Sequence, residues 1–274
     1  MSESALISRL NELPRIQQVL QELLEMVNQD DVDFGALSAK MAQDQVLCAR
    51  LLRMANSAHF GGTKKVSSIN DAIIRVGSGP VRTLVVASVL SGAFPKLDTM
   101  DLNEYWANTF EVATIASKLG AEAGLDANEV FTTAVLHNIG ELMIHSLVPE
   151  QATEIEKRVE AGEERYAVQQ EVIGRCSPGL GAKLAKAWKF PDDMVQAIKF
   201  FNSPEQAEGS TKLASTIHFA RDIHDTWDDI EEEKQKSVFL AEHIDARVLH
   251  ISAAFRDTID KIRGNGRELA AQLA

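Results

Sequence analysis

Apolar residues recur at steps of three and four along most of the chain, which is the period of an amphipathic α-helix. The first segment with this pattern covers residues 13–27 and carries Pro14 in its first turn, where a helix tolerates proline. Two shorter segments with the same period follow at residues 34–42 and 46–55. The pattern therefore predicts successive helices at the start of the chain.

Short polar signals mark where the next helices begin and end. Ser68, with Asp71 three residues later, has the form of a capping box, in which the serine oxygen accepts a hydrogen bond from the backbone amide of Asp71. Gly77 suits the left-handed residue that ends a helix, and Pro80 predicts the start of the next helix.

The second half of the chain continues the helical pattern. Residues 104–120 form one predicted helix, and Asp126 with Glu129 predicts the start of another that continues to Met143. Further helices are predicted from first-turn prolines or from the apolar period, at Pro149, Pro178, Pro191, residues 213–227 and residues 246–273.

No segment alternates apolar and polar residues for long enough to predict a β-strand. Residues 203–210 contain Pro204 and Gly209 among small and polar residues, which is typical of a linker. We predict an all-α fold.

Composition and charge restrict the class of function. The 274 residues carry a net charge of −12, which opposes binding to nucleic acid or to an anionic membrane surface. The longest apolar run, residues 83–94, is too short to span a membrane, and Cys48 and Cys176 lie in no metal or redox spacing. Lys183, Lys186 and Lys189 form a basic stripe that we interpret as a solvated helix face. We expect a soluble cytoplasmic protein.

Common catalytic signatures are missing from the sequence. It contains no Gly-rich phosphate loop, no GxSxG elbow and no HExxH helix. His137 and Asn138 stand out because they lie in the middle of a predicted helix, in an otherwise apolar stretch, where polar side chains need partners. A histidine with satisfied hydrogen bonds in the core and a metal ligand are both compatible with this pattern.

The segment from Leu136 to Gly140, Leu-His-Asn-Ile-Gly, resembles the Leu-His-Asp-Ile-Gly signature of the HD superfamily, and the first half of the chain resembles its HDOD branch. HDOD stands for HD-related output domain, a module of bacterial signalling. The matching segments are Leu13-Pro14, residues 43–45, 51–58, 67–69, 71–73 and 76–77, and, after His137, Gly174, Gly181, Trp188, Pro191 and residues 197–198.

The resemblance implies a multi-helical HD-like bundle with an N-terminal helical subdomain. The HDOD domain would cover residues 13–205, divided into an N-terminal part at about 13–95 and an HD-like part at about 101–205. Residues 206–274 would form a C-terminal helical extension that packs on the HD-like part.

Catalytic relatives hold one or two divalent metal ions with an early His, the His-Asp pair and a late Asp, and the metal activates water. In this chain the early His corresponds to Asn108, the His is retained as His137, and the paired Asp is Asn138. An amide offers a neutral oxygen where a carboxylate would offset the charge of the metal, so metal affinity should fall steeply.

Other positions of the branch have also changed. Further histidines correspond to Ser177 and to Phe201 or Asn202, and the late Asp corresponds to Arg221 or Asp222. Because Ser177 precedes Pro178, we also interpret it as the N-cap of a helix. Only His137 remains as a clear ligand, and one ligand cannot hold a catalytic metal.

We therefore expect a non-catalytic signalling or regulatory domain with no cofactor, which binds a protein partner or a small anionic or nucleotide ligand. The residual pocket would be formed by Asn108, His137, Asn138 and Ser177.

The rival hypothesis is a metal-dependent phosphohydrolase that acts on a nucleotide or another phosphoester. It would use Mn or Fe, held by His137 together with Asn108, Asn138, Glu171 or Asp222.

Two other features have alternative explanations. His218, Asp222 and Asp225 could bind a metal, but neighbouring acidic residues favour a generic acidic surface. Asn56 and Ser57, in the most specific HDOD segment, could form a recognition element, but both residue types favour helix capping.

Overall fold

The structure is a computed structural model that describes residues 18–27, 32–56, 65–94 and 97–273. Every regular element in these ranges is helical, which confirms the all-α prediction. The helices are α1 (Gln18–Val27), α2 (Phe34–Met41), α3 (Gln45–Ala55), α4 (Ile69–Val76), α5 (Ser78–Ala93), α6 (Leu102–Glu122), α7 (Ala127–Leu136), α8 (Ile139–Leu147), α9 (Pro149–Glu160), α10 (Arg165–Ile173), α11 (Ser177–Ala187), α12 (Asp192–Phe200), α13 (Thr211–Thr226), α14 (Glu233–Glu242), α15 (Ile244–Leu249), α16 (Arg256–Ile262) and α17 (Asn265–Leu273).

The described residues group into two compact units. Those within Pro14–Pro95 and Glu268–Ala274 form the first, and those within Lys96–Arg267 form the second. Residues 203–210, predicted as a linker, lie inside the second unit, where Pro204, Ala207 and Ser210 are buried. This segment connects α12 to α13, so the linker prediction is wrong.

In the first unit, α1 and α5 pack against each other because both present apolar faces. Leu20, Leu23 and Leu24 of α1 are buried, and α5 is buried along most of its length. Among the described residues no single helix is long and apolar enough to cross a membrane. Taken together, α4 and α5 have the length and apolar composition of a membrane span, but the two helices meet at a bend of 114°.

The predicted capping role of Asn56 is confirmed by its contacts. Its side-chain nitrogen donates to the carbonyl oxygens of Leu52 at 2.9 Å and Val66 at 2.8 Å. Its side-chain oxygen accepts from the amide of Val66 at 2.8 Å. Asn56 thus ends α3 and fixes the chain at Val66, while Ser57 lies outside the described residues.

In the second unit, the long helix α6 packs against α7 and α13, and α8 packs against α11. The predicted N-cap Asp126 is confirmed, since its carboxylate accepts from the amides of Asn128 at 2.8 Å and Glu129 at 2.9 Å. These helices surround the site described below.

The helix predicted to continue from Asp126 to Met143 is broken. α7 ends at Leu136 and α8 begins at Ile139, with Asn138 at φ −108° and ψ 13° between them. The cause is tertiary, because the Asn138 side chain hydrogen-bonds to α6 and Gly140 packs against the backbone of Ser177 in α11. His137 and Asn138 therefore lie at a helix junction and not in the middle of a helix.

The helix starts predicted from three prolines agree with the observed starts to within one residue. Pro149 is the first residue of α9, Pro178 is the second of α11, and Pro191 immediately precedes α12. The prediction that Ser177 is an N-cap is wrong, since the cap position is Cys176 and Ser177 is the first helical residue.

Candidate functional site

A cavity of about 650 Å³ lies within the second unit, a volume in the range of small-molecule sites. Its walls come from residues 99–101, α6, the α7–α8 junction, α8 to α11, Phe201 at the end of α12, and α13. Asn108, His137, Asn138 and Ser177, the residues proposed from the sequence for the residual pocket, all line this cavity.

His137 is buried, with only 3% of its surface exposed. Its Nδ1 lies 2.5 Å from the carbonyl oxygen of Ala134, which can only accept, so Nδ1 carries the proton. Burial, with a further contribution from the positive charge of Arg221, lowers the pKa of His137 to about 3. The imidazole is therefore neutral at physiological pH, with an unprotonated Nε2 that has no hydrogen-bond partner among the described residues.

Both polar atoms of the Asn138 side chain are used within the protein. Its oxygen accepts from the hydroxyl of Tyr105 at 2.8 Å, and its nitrogen donates to Oγ1 of Thr109 at 2.8 Å. Burial raises the pKa of Tyr105 well above its usual range, so this phenol stays protonated and remains a donor. The amide at the HD position thus fixes the α7–α8 junction to α6.

The other two proposed residues have structural partners. Ser177 donates its hydroxyl to Glu141 at 2.6 Å, and its amide donates to the side-chain oxygen of Gln169 at 2.8 Å. Asn108 accepts a long hydrogen bond of 3.4 Å from Arg267. The carboxylate next to Ser177 is therefore occupied by its hydroxyl, and the printed partner of Asn108 is a guanidinium, which is not a metal ligand.

The resemblance left either Arg221 or Asp222 at the position of the late Asp, and the structure shows which of the two lies at the cavity. Arg221 lines the cavity, whereas Asp222 does not. The Arg221 side chain donates to the hydroxyl of Tyr166 at 2.8 Å and to the side-chain oxygen of Asn202 at 3.3 Å. It also lies over the ring of Phe201, with 5.1 Å between the guanidinium carbon and the ring centroid.

The residues at the HD positions do not fit a divalent metal ion. His137 is a single imidazole donor, the oxygen of Asn138 already accepts from Tyr105, and Arg221 adds a positive charge to the same cavity. A metal ion would be repelled by this charge and would lack the three or more protein ligands that such ions need. Glu171, the other acidic residue considered, is exposed and pairs with Arg158 at 2.8 Å.

One group of titratable residues at the cavity was missed in the sequence. Ligand atoms of Glu141, His145 and Glu156 lie within 4.8 Å of one another. Arg165 is 2.6 Å from Glu156 and 3.6 Å from Glu141, so one guanidinium pairs with both carboxylates and offsets part of their charge. The hydrogen bond with His145, followed by that with Arg165, lowers the pKa of Glu156 to about 2.

The sequence contained a spacing signal for only two members of this group. Glu141 and His145 are four residues apart and therefore share a helix face. Glu156 and Arg165 lie on α9 and α10 and reach the group only through the packing of these helices. Local sequence spacing could not have connected them.

The interpretation of His218, Asp222 and Asp225 as a generic acidic surface is wrong for the first two. His218 donates from Nδ1 to the buried carboxylate of Asp245 at 2.6 Å and lies 3.9 Å from Asp222. His243 contacts Asp222 at 2.9 Å. These four side chains form a half-buried network between α13 and the α14–α15 junction, and Asp225 lies outside it at the cavity.

This network should make stability depend on pH. The hydrogen bond to Asp245 raises the pKa of His218 above its ordinary value of 6.5, so the folded state binds the proton more tightly than the unfolded state. The stabilisation is therefore complete below about pH 6.5 and is lost as the pH rises through the raised folded pKa. We expect the His218→Gln variant to lose stability mainly on the acidic side of this range.

The measurement is urea unfolding of the wild type and the His218→Gln variant at a series of pH values. The control is His250→Asn, because His250 is exposed and its ring makes no hydrogen bond or ion pair with described residues. A difference between wild type and His218→Gln that is constant with pH, or that grows with pH, would contradict the prediction.

Comparison with known proteins agrees with this architecture. A crystal structure named "Putative phosphohydrolase", from Shewanella amazonensis SB2B, is 38% identical, with a TM-score of 0.87, covering 99% of this chain and 98% of that one. An HDOD domain protein with unknown function from Geobacter sulfurreducens is 20% identical with a TM-score of 0.83, covering 99% of this chain and 97% of that one, and shows the shared fold.

A curated relative named "Uncharacterized protein", from Treponema pallidum (strain Nichols), is 27% identical over 223 residues, which is 79% of this chain. The match covers 43% of that protein, so this chain spans less than half of the relative's length.

The fold and the altered HD positions define an all-α member of the HD superfamily. The HDOD domain family matches residues 13–204. The chain belongs to the HDOD domain family.

Proposed function

We propose that this chain is a regulatory HDOD module that works by binding a protein partner or a small ligand and does not hydrolyse phosphoesters. The observation that carries the proposal is the place of Arg221 on the cavity wall. Arg221 and Asp222 are the two positions that could correspond to the late Asp of catalytic relatives, and of these two Arg221 lines the cavity. It supplies a cation where a metal site needs a carboxylate.

The contacts of Asn138 support the same proposal. Its oxygen and nitrogen are both held by α6, through Tyr105 and Thr109, so the residue acts in folding. Without an anionic ligand set, the HD positions cannot hold a metal ion that would lower the pKa of a bound water for attack on phosphorus.

The test is metal content by mass spectrometry on protein purified without chelator, together with turnover of a generic phosphodiester with and without added Mn²⁺. We expect metal far below one ion per chain and no turnover above that of the His137→Ala variant. His250→Ala serves as the control for loss of an exposed histidine.

Near-stoichiometric Mn or Fe that is lost together with turnover in His137→Ala would overturn the proposal and support a metal-dependent phosphohydrolase. A Glu156→Gln variant extends the test to the group of Glu141, His145 and Glu156. Metal and turnover lost in that variant would also overturn the proposal, and would place the metal at this group.

A further inference from the structure

Arg221 carries a positive charge that no described carboxylate neutralises at close range. The side chain is half-buried at the cavity, and its hydrogen-bond partners, Tyr166 and Asn202, are neutral oxygen acceptors. Among the described residues no carboxylate lies within the 4.0 Å that defines an ion pair with it. A guanidinium in this setting is suited to bind two oxygens of an anion side by side.

His137 presents the complementary group on the same aromatic wall. Its ring meets the ring of Phe201 edge-on, with 5.2 Å between centroids, and Arg221 lies over the same ring. Because Nδ1 is bound to Ala134, the atom that is free for a ligand is Nε2, which is unprotonated. An unprotonated imidazole nitrogen can only accept, so it needs an O–H or N–H group on the ligand.

We infer that the cavity binds a phosphate group that retains one P–OH, with its charged oxygens on Arg221 and its hydroxyl donating to Nε2 of His137. Inorganic phosphate keeps this hydroxyl at neutral pH, and a phosphomonoester keeps it as its monoanion. The inference rests on the proposed function, since it requires that the HD positions hold no metal ion. The Arg221 guanidinium then holds the anion without activating water.

The acidic residues that line the cavity do not offset the positive charge of Arg221. Glu141 and Glu156 are paired with Arg165, and Glu141 also accepts from Ser177. The remaining carboxylates that line the cavity are exposed to solvent, where charge is strongly screened; they are Asp101, Glu104, Glu160 and Asp225. In the cavity without a ligand, burial lowers the pKa of His137 to about 3, so the imidazole that meets the phosphate is neutral.

The first experiment needs no variant. Binding of inorganic phosphate and of sulfate to the full chain is measured by isothermal titration calorimetry at neutral pH and equal ionic strength. Sulfate has no proton to donate at this pH, so its oxygen would face the lone pair of Nε2. We expect sulfate to bind about tenfold more weakly than phosphate, or worse, the loss expected for one unmet hydrogen bond.

The second experiment locates the site. Arg221→Gln should weaken phosphate binding by about tenfold to a hundredfold, and Arg221→Lys should weaken it less, because it keeps the charge without the planar fork. Arg82→Gln is the matched control, since Arg82 is also half-buried but donates to the carbonyl of Val27 in the first unit, at 2.7 Å. Glycerol phosphate in parallel distinguishes a phosphomonoester from free phosphate by which of the two binds more tightly.

Three results would overturn the inference: no phosphate binding to the wild type, equal binding of sulfate and phosphate, or binding unchanged in Arg221→Gln. Failure of the proposed function looks different, since it requires bound metal and turnover in purified protein. Metal-free, inactive protein that binds no phosphate would leave the proposed function in place and refute only this site.

Discussion

Replacing Gly140 by alanine should destabilise the protein by about 3 kcal/mol or more. A Cβ atom at this position would lie 1.9 Å from the carbonyl oxygen of Ser177, 2.7 Å from its carbonyl carbon and 2.9 Å from its Cα. All three are backbone atoms of the first residue of α11, so no side-chain rotation can relieve the clash. The two helices α8 and α11 would have to separate at the wall of the cavity.

The free energy of unfolding in urea measures this effect, and Gly179→Ala is the control on the facing helix. At Gly179 the nearest atom to an added Cβ is Sγ of Cys176 at 3.9 Å, which is an ordinary contact. That variant should change stability by less than about 1 kcal/mol, in the stabilising direction expected for alanine in a helix. If Gly140→Ala were as stable as Gly179→Ala, the close approach of α8 and α11 would be wrong.

The second large effect is expected at Glu111, a carboxylate that is only 2% exposed in the middle of α6. Its two oxygens accept from the amides of Gly264 at 2.7 Å and Gly266 at 3.0 Å, at the start of α17. Arg263 adds an ion pair at 3.9 Å. The Glu111→Leu variant would leave both amides without an acceptor and should lose about 2 to 4 kcal/mol.

Urea unfolding and hydrogen exchange of the amides around residue 265 measure the loss. Glu111→Gln keeps one acceptor oxygen and should lose roughly half as much as the leucine variant. Glu122→Leu, at an exposed position of the same helix, should stay within about 0.5 kcal/mol of the wild type. Equal stability of Glu111→Leu and Glu122→Leu would show that Glu111 does not hold the start of α17.

The helices could largely be predicted because their signals are local. The apolar period and capping residues such as Asp126 act over a few residues, and the structure confirms these elements. The break at His137 and Asn138 could not be predicted in this way. It depends on Tyr105 and Thr109, which are about thirty residues earlier in the chain, and on the backbone of Ser177.

The candidate site was predictable to a smaller extent. His137 and Asn138 stood out as polar residues in an apolar stretch, whereas Asn108 and Ser177 were found only through resemblance to a family. The choice between Arg221 and Asp222 required the structure. Neighbouring residues on a helix project about 100° apart, so one of them faces the cavity and the other faces His243.

The sequence by itself determined the helical class and, through its resemblance to the HD signature, the replacement of the paired Asp by Asn138, because periodicity and residue identity need no knowledge of distant contacts. Only the tertiary structure decided which charges meet in the cavity. Arg165 reaches Glu156 across two helices, and Arg221 stands near His137 because α13 packs against α6 and α12. Such pairings depend on how whole helices are placed, and no short segment of the chain contains that information.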